Sequence, residues 1–205
     1  MADDPQANDP QANVQPKAEA AAQADDQTND RTNDKSNVVL IGMPGTGKST
    51  VGVVLAKRLS LGFVDTDLLI QAREGRPLQA TADDVGYQEL RRIEERVVLD
   101  LVVERHVIAT GGSVVYEPRG MEHLRQHGVV VHLDTPLAEL RRRVGDFSGR
   151  GVAMRPDQSF DDLYAEREPL YEQHAEITID CGGLTLETVC DQVVEALGQS
   201  PTANP

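Results

Sequence analysis

The chain has 205 residues, with 34 acidic against 20 basic side chains and a net charge of −14. That excess of acid argues against a nucleic-acid partner, whose phosphates need a basic face, and no apolar run approaches the roughly 20 residues that span a bilayer. The two cysteines, Cys181 and Cys190, fit neither a metal-ligand spacing nor a disulfide framework, so free thiols in a reducing cytoplasm are expected.

The first 37 residues carry eight acids, three bases and no aromatic residue, and they open with Asp4-Pro5-Gln6-Ala7-Asn8 repeated as Asp9-Pro10-Gln11-Ala12-Asn13. Such a segment buries too little surface to offset its ordering entropy, so residues 1–37 are expected to be a disordered acidic tail. They do not read as a secretory signal, which needs a basic start and an apolar stretch. Residues 38–198 are long enough for one domain with a substantial core, and 199–205 are expected to be a disordered C-terminus.

The domain opens on an apolar strand, Val38-Val39-Leu40-Ile41, followed by Gly42-Met43-Pro44-Gly45-Thr46-Gly47-Lys48-Ser49. The spacing is that of a phosphate-binding loop between a strand and a helix. Its glycines let successive N–H groups turn inward, and the helix start adds positive character at the same point. Gly45, Thr46, Gly47, Lys48, Ser49 and Thr50 are the expected nucleotide contacts, with Lys48 on the β- and γ-phosphates and the Ser49 hydroxyl on Mg²⁺. ATP and Mg²⁺ are therefore expected.

The predicted helix at Ser49–Ser60 leads to a short strand, Phe63-Val64, and to Asp65-Thr66-Asp67, where one carboxylate can face Mg²⁺ and the other an acceptor hydroxyl. The plainer reading makes Asp67 a helix cap. Helical pieces are predicted over Leu68–Arg73, Leu78–Val85 and Gln88–Glu104, then a strand at His106–Ala109 ending in Thr110-Gly111-Gly112, where bare backbone admits a small ligand. A helix at Pro118–Gln126, a strand at Val129–Leu133 and a helix at Pro136–Val144 follow. Gly145–Ser159 reads as a loop long enough to be a mobile lid. A helix at Phe160–His174, a strand at Ile177–Ile179 and a helix near Leu186–Leu197 complete the chain. Continuously apolar strands alternating with helices predict an α/β, three-layer P-loop NTPase-type domain with a parallel sheet of about five strands.

From Val38 to about Leu197 the chain resembles shikimate kinase. The resemblance rests on the P-loop, Asp65-Thr66-Asp67, Leu90-Arg91-Arg92-Ile93-Glu94-Glu95, Ala109-Thr110-Gly111-Gly112-Ser113, Val129-Val130-Val131-His132-Leu133-Asp134 and Glu166-Arg167-Glu168-Pro169-Leu170-Tyr171-Glu172. It implies transfer of the ATP γ-phosphate to the 3-hydroxyl of shikimate by a monomeric enzyme of aromatic amino-acid biosynthesis. It also implies that Asp65 lies near the metal and that Asp67 binds and helps deprotonate the acceptor hydroxyl. Arg91 and Arg167 would clamp the acceptor carboxylate, Glu94 would orient Arg91, and Gly111 and Gly112 would line the pocket. Arg143 would face adenine, and Arg150 would be the lid cation, with Arg155 its rival. Ser113 stands where the family carries glycine, and the stretch from Arg150 to Arg167 is short. These departures keep open a kinase of a smaller hydroxy acid such as homoserine. A P-loop regulatory module without kinase activity is a further alternative.

Overall fold

A computed structural model describes residues 35–144 and 151–199. The expectations for most of the tail, for residues 200–205, for the first part of the lid loop and for Arg150 lie outside the described residues.

Five parallel strands form one sheet in the order β2-β3-β1-β4-β5. They are β1 (Asn37–Ile41), β2 (Gly62–Asp65), β3 (His106–Ala109), β4 (Gly128–Asp134) and β5 (Ile177–Asp180). In register, Val39 of the central strand faces Ile108 of β3 and Val130 of β4. Alternation within β1 sets the layers. Val38 and Leu40 join a core with Val51 and Leu55 of α1 (Lys48–Leu59) and Val189 and Val193 of α7 (Leu186–Gln199). Val39 and Ile41 point the other way, into a core with Met121 and Leu124 of α4 (Pro118–His127), Leu140 of α5 (Leu137–Val144), and Leu163 and Tyr171 of α6 (Phe160–His174). Strands buried on both faces explain the unbroken apolar runs in the sequence.

A third, smaller core joins Ile70 of α2 (Thr66–Glu74) to Leu90, Ile93 and Val97 of α3 (Leu78–Leu99), with Ala153 packed on it. Gly86, at φ 76° and ψ 165°, breaks α3 where two helical pieces were predicted. The second piece ends at Leu99 rather than at the expected Glu104. Leu101 and Val103 instead lie outside any helix and pack against the core that includes α4. The Asn37 amide fixes that course, donating to the Val103 carbonyl at 2.8 Å and accepting from the His106 N–H at 2.9 Å.

Strands β2 and β3 lie on one side of β1, and β4 and β5 on the other. The chain therefore reverses direction across the sheet at β1, and the crevice beyond the carboxyl ends of the strands there is where open α/β sheets bind ligands. Among the described residues no helix is long and apolar enough to cross a membrane.

Candidate active site

The loop after β1 has the predicted form. Gly42, Gly45 and Gly47 take φ of 142°, 90° and 95°. A side chain at Gly42 would put its Cβ 2.8 Å from the Leu133 carbonyl oxygen, so the close approach of the loop to β4 requires glycine there. Lys48 is buried and donates to the carbonyls of Gly42 (2.7 Å) and Met43 (3.0 Å). Burial lowers its ammonium pKa to about 8, opposed by the neighbouring Asp67 and reinforced by Arg167.

The loop lines a cleft of about 420 Å³ together with Asp67, Glu94, Thr110, Gly111, Gly112 and Arg167. These residues come from the ends of β1, β2 and β3 and from α3 and α6. One contact fixes the register between the β2 and β3 ends: the Gly111 N–H donates to Thr66 Oγ1 at 3.0 Å. Asp67 therefore stands against bare backbone. A Cβ on Gly111 would lie 2.9 Å from both Asp67 Oδ1 and Glu94 Oε1, and one on Gly112 would lie 2.9 Å from Arg167 Nη1.

Asp65, not Asp67, caps α2: its Oδ1 accepts from the Asp67 N–H at 2.9 Å. That bond leaves Asp67 to point its carboxyl inward, where Oδ1 is buried without a hydrogen-bond partner. Burial, then the charge of Asp65, raises the Asp67 pKa to about 6, with Lys48 opposing. Glu94 is more enclosed. Burial, then repulsion from Asp67, raises its pKa to about 7. The two carboxyls repel each other, and the more deeply enclosed one is the harder to ionise.

The expectation that Glu94 orients Arg91 is corrected by this geometry. Glu94 Oε2 accepts from the Ser113 hydroxyl. Arg91 has no ion pair with it and instead lays its guanidinium on the ring of Tyr116, 3.6 Å from the centroid, with Tyr87 at 5.4 Å. Arg91 Nε and Nη2 are buried and unpartnered. Those two nitrogens form one edge of the guanidinium fork, the edge that takes a carboxylate side-on. Arg167 is almost wholly buried, donates from Nη2 to the Ala153 carbonyl at 2.7 Å, and reaches Tyr116 Oη from Nε at 3.4 Å.

Arg143 lies outside the main cleft, in an adjoining recess of about 270 Å³ shared with Gly45, Thr46, Gly47 and Thr50. Its Nη1 donates to the Thr46 carbonyl at 3.3 Å. Arg155, the rival lid cation, is half-exposed and pairs with Glu166 at 3.0 Å, away from the phosphate loop. Ser49 and Thr50 are exposed on the cleft wall, and Thr46 Oγ1 is buried without a partner. The loop thus brings open N–H groups, a cation and hydroxyls together, and these donors fit a polyphosphate with its divalent cation.

Sequence reasoning missed Tyr116, the Ser113–Glu94 bond, and the part of the cleft wall built by Leu78, Val152 and Ala153. It also saw no grouping for His132, Asp134 and Glu168, whose ligand-type atoms lie within 4.8 Å of one another behind the loop. They come from β4 and α6, so no local spacing could reveal them. His132 stacks on Tyr171 at 5.1 Å, and burial lowers its pKa to about 4, which keeps it neutral. Cys181 and Cys190 are buried and free.

Comparison with known proteins completes the description of the site. The shikimate kinase family model matches residues 44–198. A shikimate kinase from Mycobacterium avium is 43% identical over 145 residues, covering 69% of this chain and 82% of its own. One from Nitrosomonas europaea is 35% identical over 167 residues, 80% of this chain and 79% of its own. Among solved structures, a shikimate kinase from Acinetobacter baumannii in complex with shikimate superposes with a TM-score of 0.75 at 28% identity, covering 82% of this chain and 95% of its own. A thymidylate kinase from Candida albicans, at 11% identity and a TM-score of 0.55, shares the fold alone.

Proposed function

The chain belongs to the shikimate kinase family, and from that premise we propose that it transfers the γ-phosphate of ATP to the 3-hydroxyl of shikimate, with Mg²⁺ as cofactor. The observation that carries this reading is a set of buried polar atoms left without partners at the two places the reaction needs them. Asp67 Oδ1 has the Lys48 charge near it, and the open Nε and Nη2 edge belongs to Arg91, whose guanidinium shares the ring of Tyr116 with Arg167. Native proteins leave few such atoms unpaired unless a ligand completes them.

The residues then divide the work. Backbone N–H groups from Gly45 to Thr50 and the Lys48 ammonium hold the phosphates. Arg143 lines the recess that would receive the base. Arg167 and Arg91 hold the acceptor carboxylate, and Gly111 and Gly112 let the ring approach. Asp67 orients the acceptor hydroxyl and takes its proton, and its raised pKa of about 6 keeps it mostly ionised at neutral pH yet basic enough to accept. Ser49 and Asp65 would hold Mg²⁺, which when bound neutralises charge on the phosphates. Phosphoryl transfer gains chiefly from such positioning and charge neutralisation. Arg150 is the lid cation of this reading.

A smaller acceptor is not favoured, because the Ser113 hydroxyl is taken up by Glu94. A non-catalytic module is disfavoured by the relatives, which are kinases. The two free, buried thiols suit a cytoplasmic enzyme, and a monomer is expected from sedimentation. The deciding experiment is ADP release by purified protein with ATP and Mg²⁺, comparing shikimate with homoserine and other small hydroxy acids. Stimulation by shikimate alone is expected. Stimulation by a smaller acid alone would overturn the substrate while leaving the nucleotide site intact.

A further inference from the structure

We propose, building on the reading of Arg91 and Arg167 as the acceptor clamp, that Tyr116 is the positioning residue that holds both arginines in their binding orientation.

Tyr116 closes the 3₁₀ turn Val114–Tyr116, which follows the Gly111-Gly112-Ser113 corner. Its ring face lies 3.6 Å from the Arg91 guanidinium carbon and 5.3 Å from that of Arg167. Its hydroxyl donates to Glu166 Oε1 at 2.7 Å and accepts from Arg167 Nε at 3.4 Å. Both cations of the clamp therefore converge on one aromatic side chain.

The need for such a support follows from what Glu94 does. A buried guanidinium is ordinarily held by a carboxylate, and Glu94 is the carboxylate on the same helix face. In this chain Ser113 takes Glu94, and Arg91 is left with an aromatic plate and an open fork. A π-face stabilises a cation without using its N–H groups. Tyr116 thus fixes the plane of Arg91 while leaving Nε and Nη2 free for a ligand. A carboxylate partner would have occupied that same edge.

The hydroxyl carries the arrangement outward. Glu166 Oε2 also accepts from Gln158 Nε2 at 2.7 Å and from Arg155 Nη1 at 3.0 Å, and Arg167 Nη2 binds the Ala153 carbonyl. The clamp is tied in this way to the segment 153–158, whose first residue, Ala153, lines the cleft.

The test compares Tyr116→Leu, which removes the plate, with Tyr116→Phe, which keeps the plate and loses the hydroxyl. Calorimetric affinities for shikimate and for ATP are measured for each, together with the ¹⁵N–¹H signal of the Arg91 guanidinium in ligand-free protein, identified by its loss in Arg91→Lys. The Leu variant should bind shikimate about ten-fold more weakly with ATP affinity within about two-fold. Its Arg91 signal should lose the ring-current shift. The Phe variant should keep both shikimate affinity and the shifted signal. Unchanged shikimate affinity in the Leu variant, a parallel loss for both ligands, or a Phe variant that behaves as the Leu variant would each overturn the assignment. Should the wild-type protein fail to bind shikimate, the functional reading falls. The guanidinium signal then decides the positioning role alone, and a shift retained without the ring refutes it.

Discussion

Replacing Glu94 by Gln should stabilise the protein in alkaline solution and not in acid. Glu94 is 4% exposed, and its carboxyl pKa is raised from the ordinary 4.5 to about 7. The unfolded chain therefore ionises this group at a lower pH than the folded one does. Below the unfolded value both forms are protonated and the group costs nothing. Between 4.5 and about 7 only the unfolded chain gives up its proton, so stability falls as pH rises. Above that range the full cost is present, about 3 kcal/mol at roughly 1.4 kcal/mol per pH unit. Gln keeps the shape and can still accept from the Ser113 hydroxyl, but it carries no charge to bury, and its loss of charge also relieves Asp67. Burying its amide N–H₂ costs about 1–3 kcal/mol at every pH, so the pH-dependent part is the measure. Urea midpoints of wild type and Glu94→Gln at pH 5 and pH 8.5 should show the difference between the two proteins moving in favour of the variant by about 2–3 kcal/mol. A difference that does not change with pH would mean that Glu94 is ionised in the folded protein at pH 5, and the repulsion between it and Asp67 would then be wrongly assigned.

Further outcomes follow from the same site. Asp67→Asn should lower turnover by about 10²-fold or more while leaving nucleotide affinity nearly unchanged in a binding assay; lost nucleotide binding would assign Asp67 to the metal or the fold instead. The pH profile of kcat/KM should rise through about 6 as Asp67 gives up its proton and fall above about 8 as Lys48 loses its charge. A flat profile between pH 5 and 9 would contradict both roles. Gly112→Ala puts a methyl 2.9 Å from Arg167 Nη1 and 3.0 Å from Pro44 Cδ, so the acceptor KM should rise about ten-fold with little change for ATP. An unchanged acceptor KM would remove Arg167 from the clamp.

The parts of the site that depend on contiguous sequence were legible. The phosphate loop needs only its own glycines, Lys48 and the strand before it, and it has the expected backbone. The sheet followed from apolar runs such as Val38–Ile41, because strands covered on both faces have no polar side to reveal. The two helical pieces of α3 were predicted over Leu78–Val85 and Gln88–Glu104, and the break falls between them at Gly86. The early end of α3 was not predicted, because it is set by the Asn37 side chain on Val103, 66 residues away along the chain. The D-x-D pair shows the same limit within three residues. Spacing identified two carboxylates, but only the geometry reveals that Asp65 caps the helix through Oδ1 and that Asp67 is aimed into the cleft.

What stayed hidden is the local inconsistency that function requires. Read by composition, Arg91-Arg92-Ile93-Glu94-Glu95-Arg96 is a solvated ion-pair face, and Arg92 fits that reading, exposed and paired with Glu89. One step round the helix, the same stretch buries Glu94 and half-buries Arg91 without pairing them. A fold built only for stability would pair these opposite charges, since each then offsets the burial cost of the other. Here Ser113 and Tyr116, brought in from beyond β3, hold them apart. Glu94 keeps its proton to about pH 7, and Arg91 keeps an open fork. The energy withheld from that ion pair remains available to an incoming carboxylate. Sequence patterning follows the rules that lower the energy of the free protein, and it fails at the residues that depart from them for the sake of a ligand.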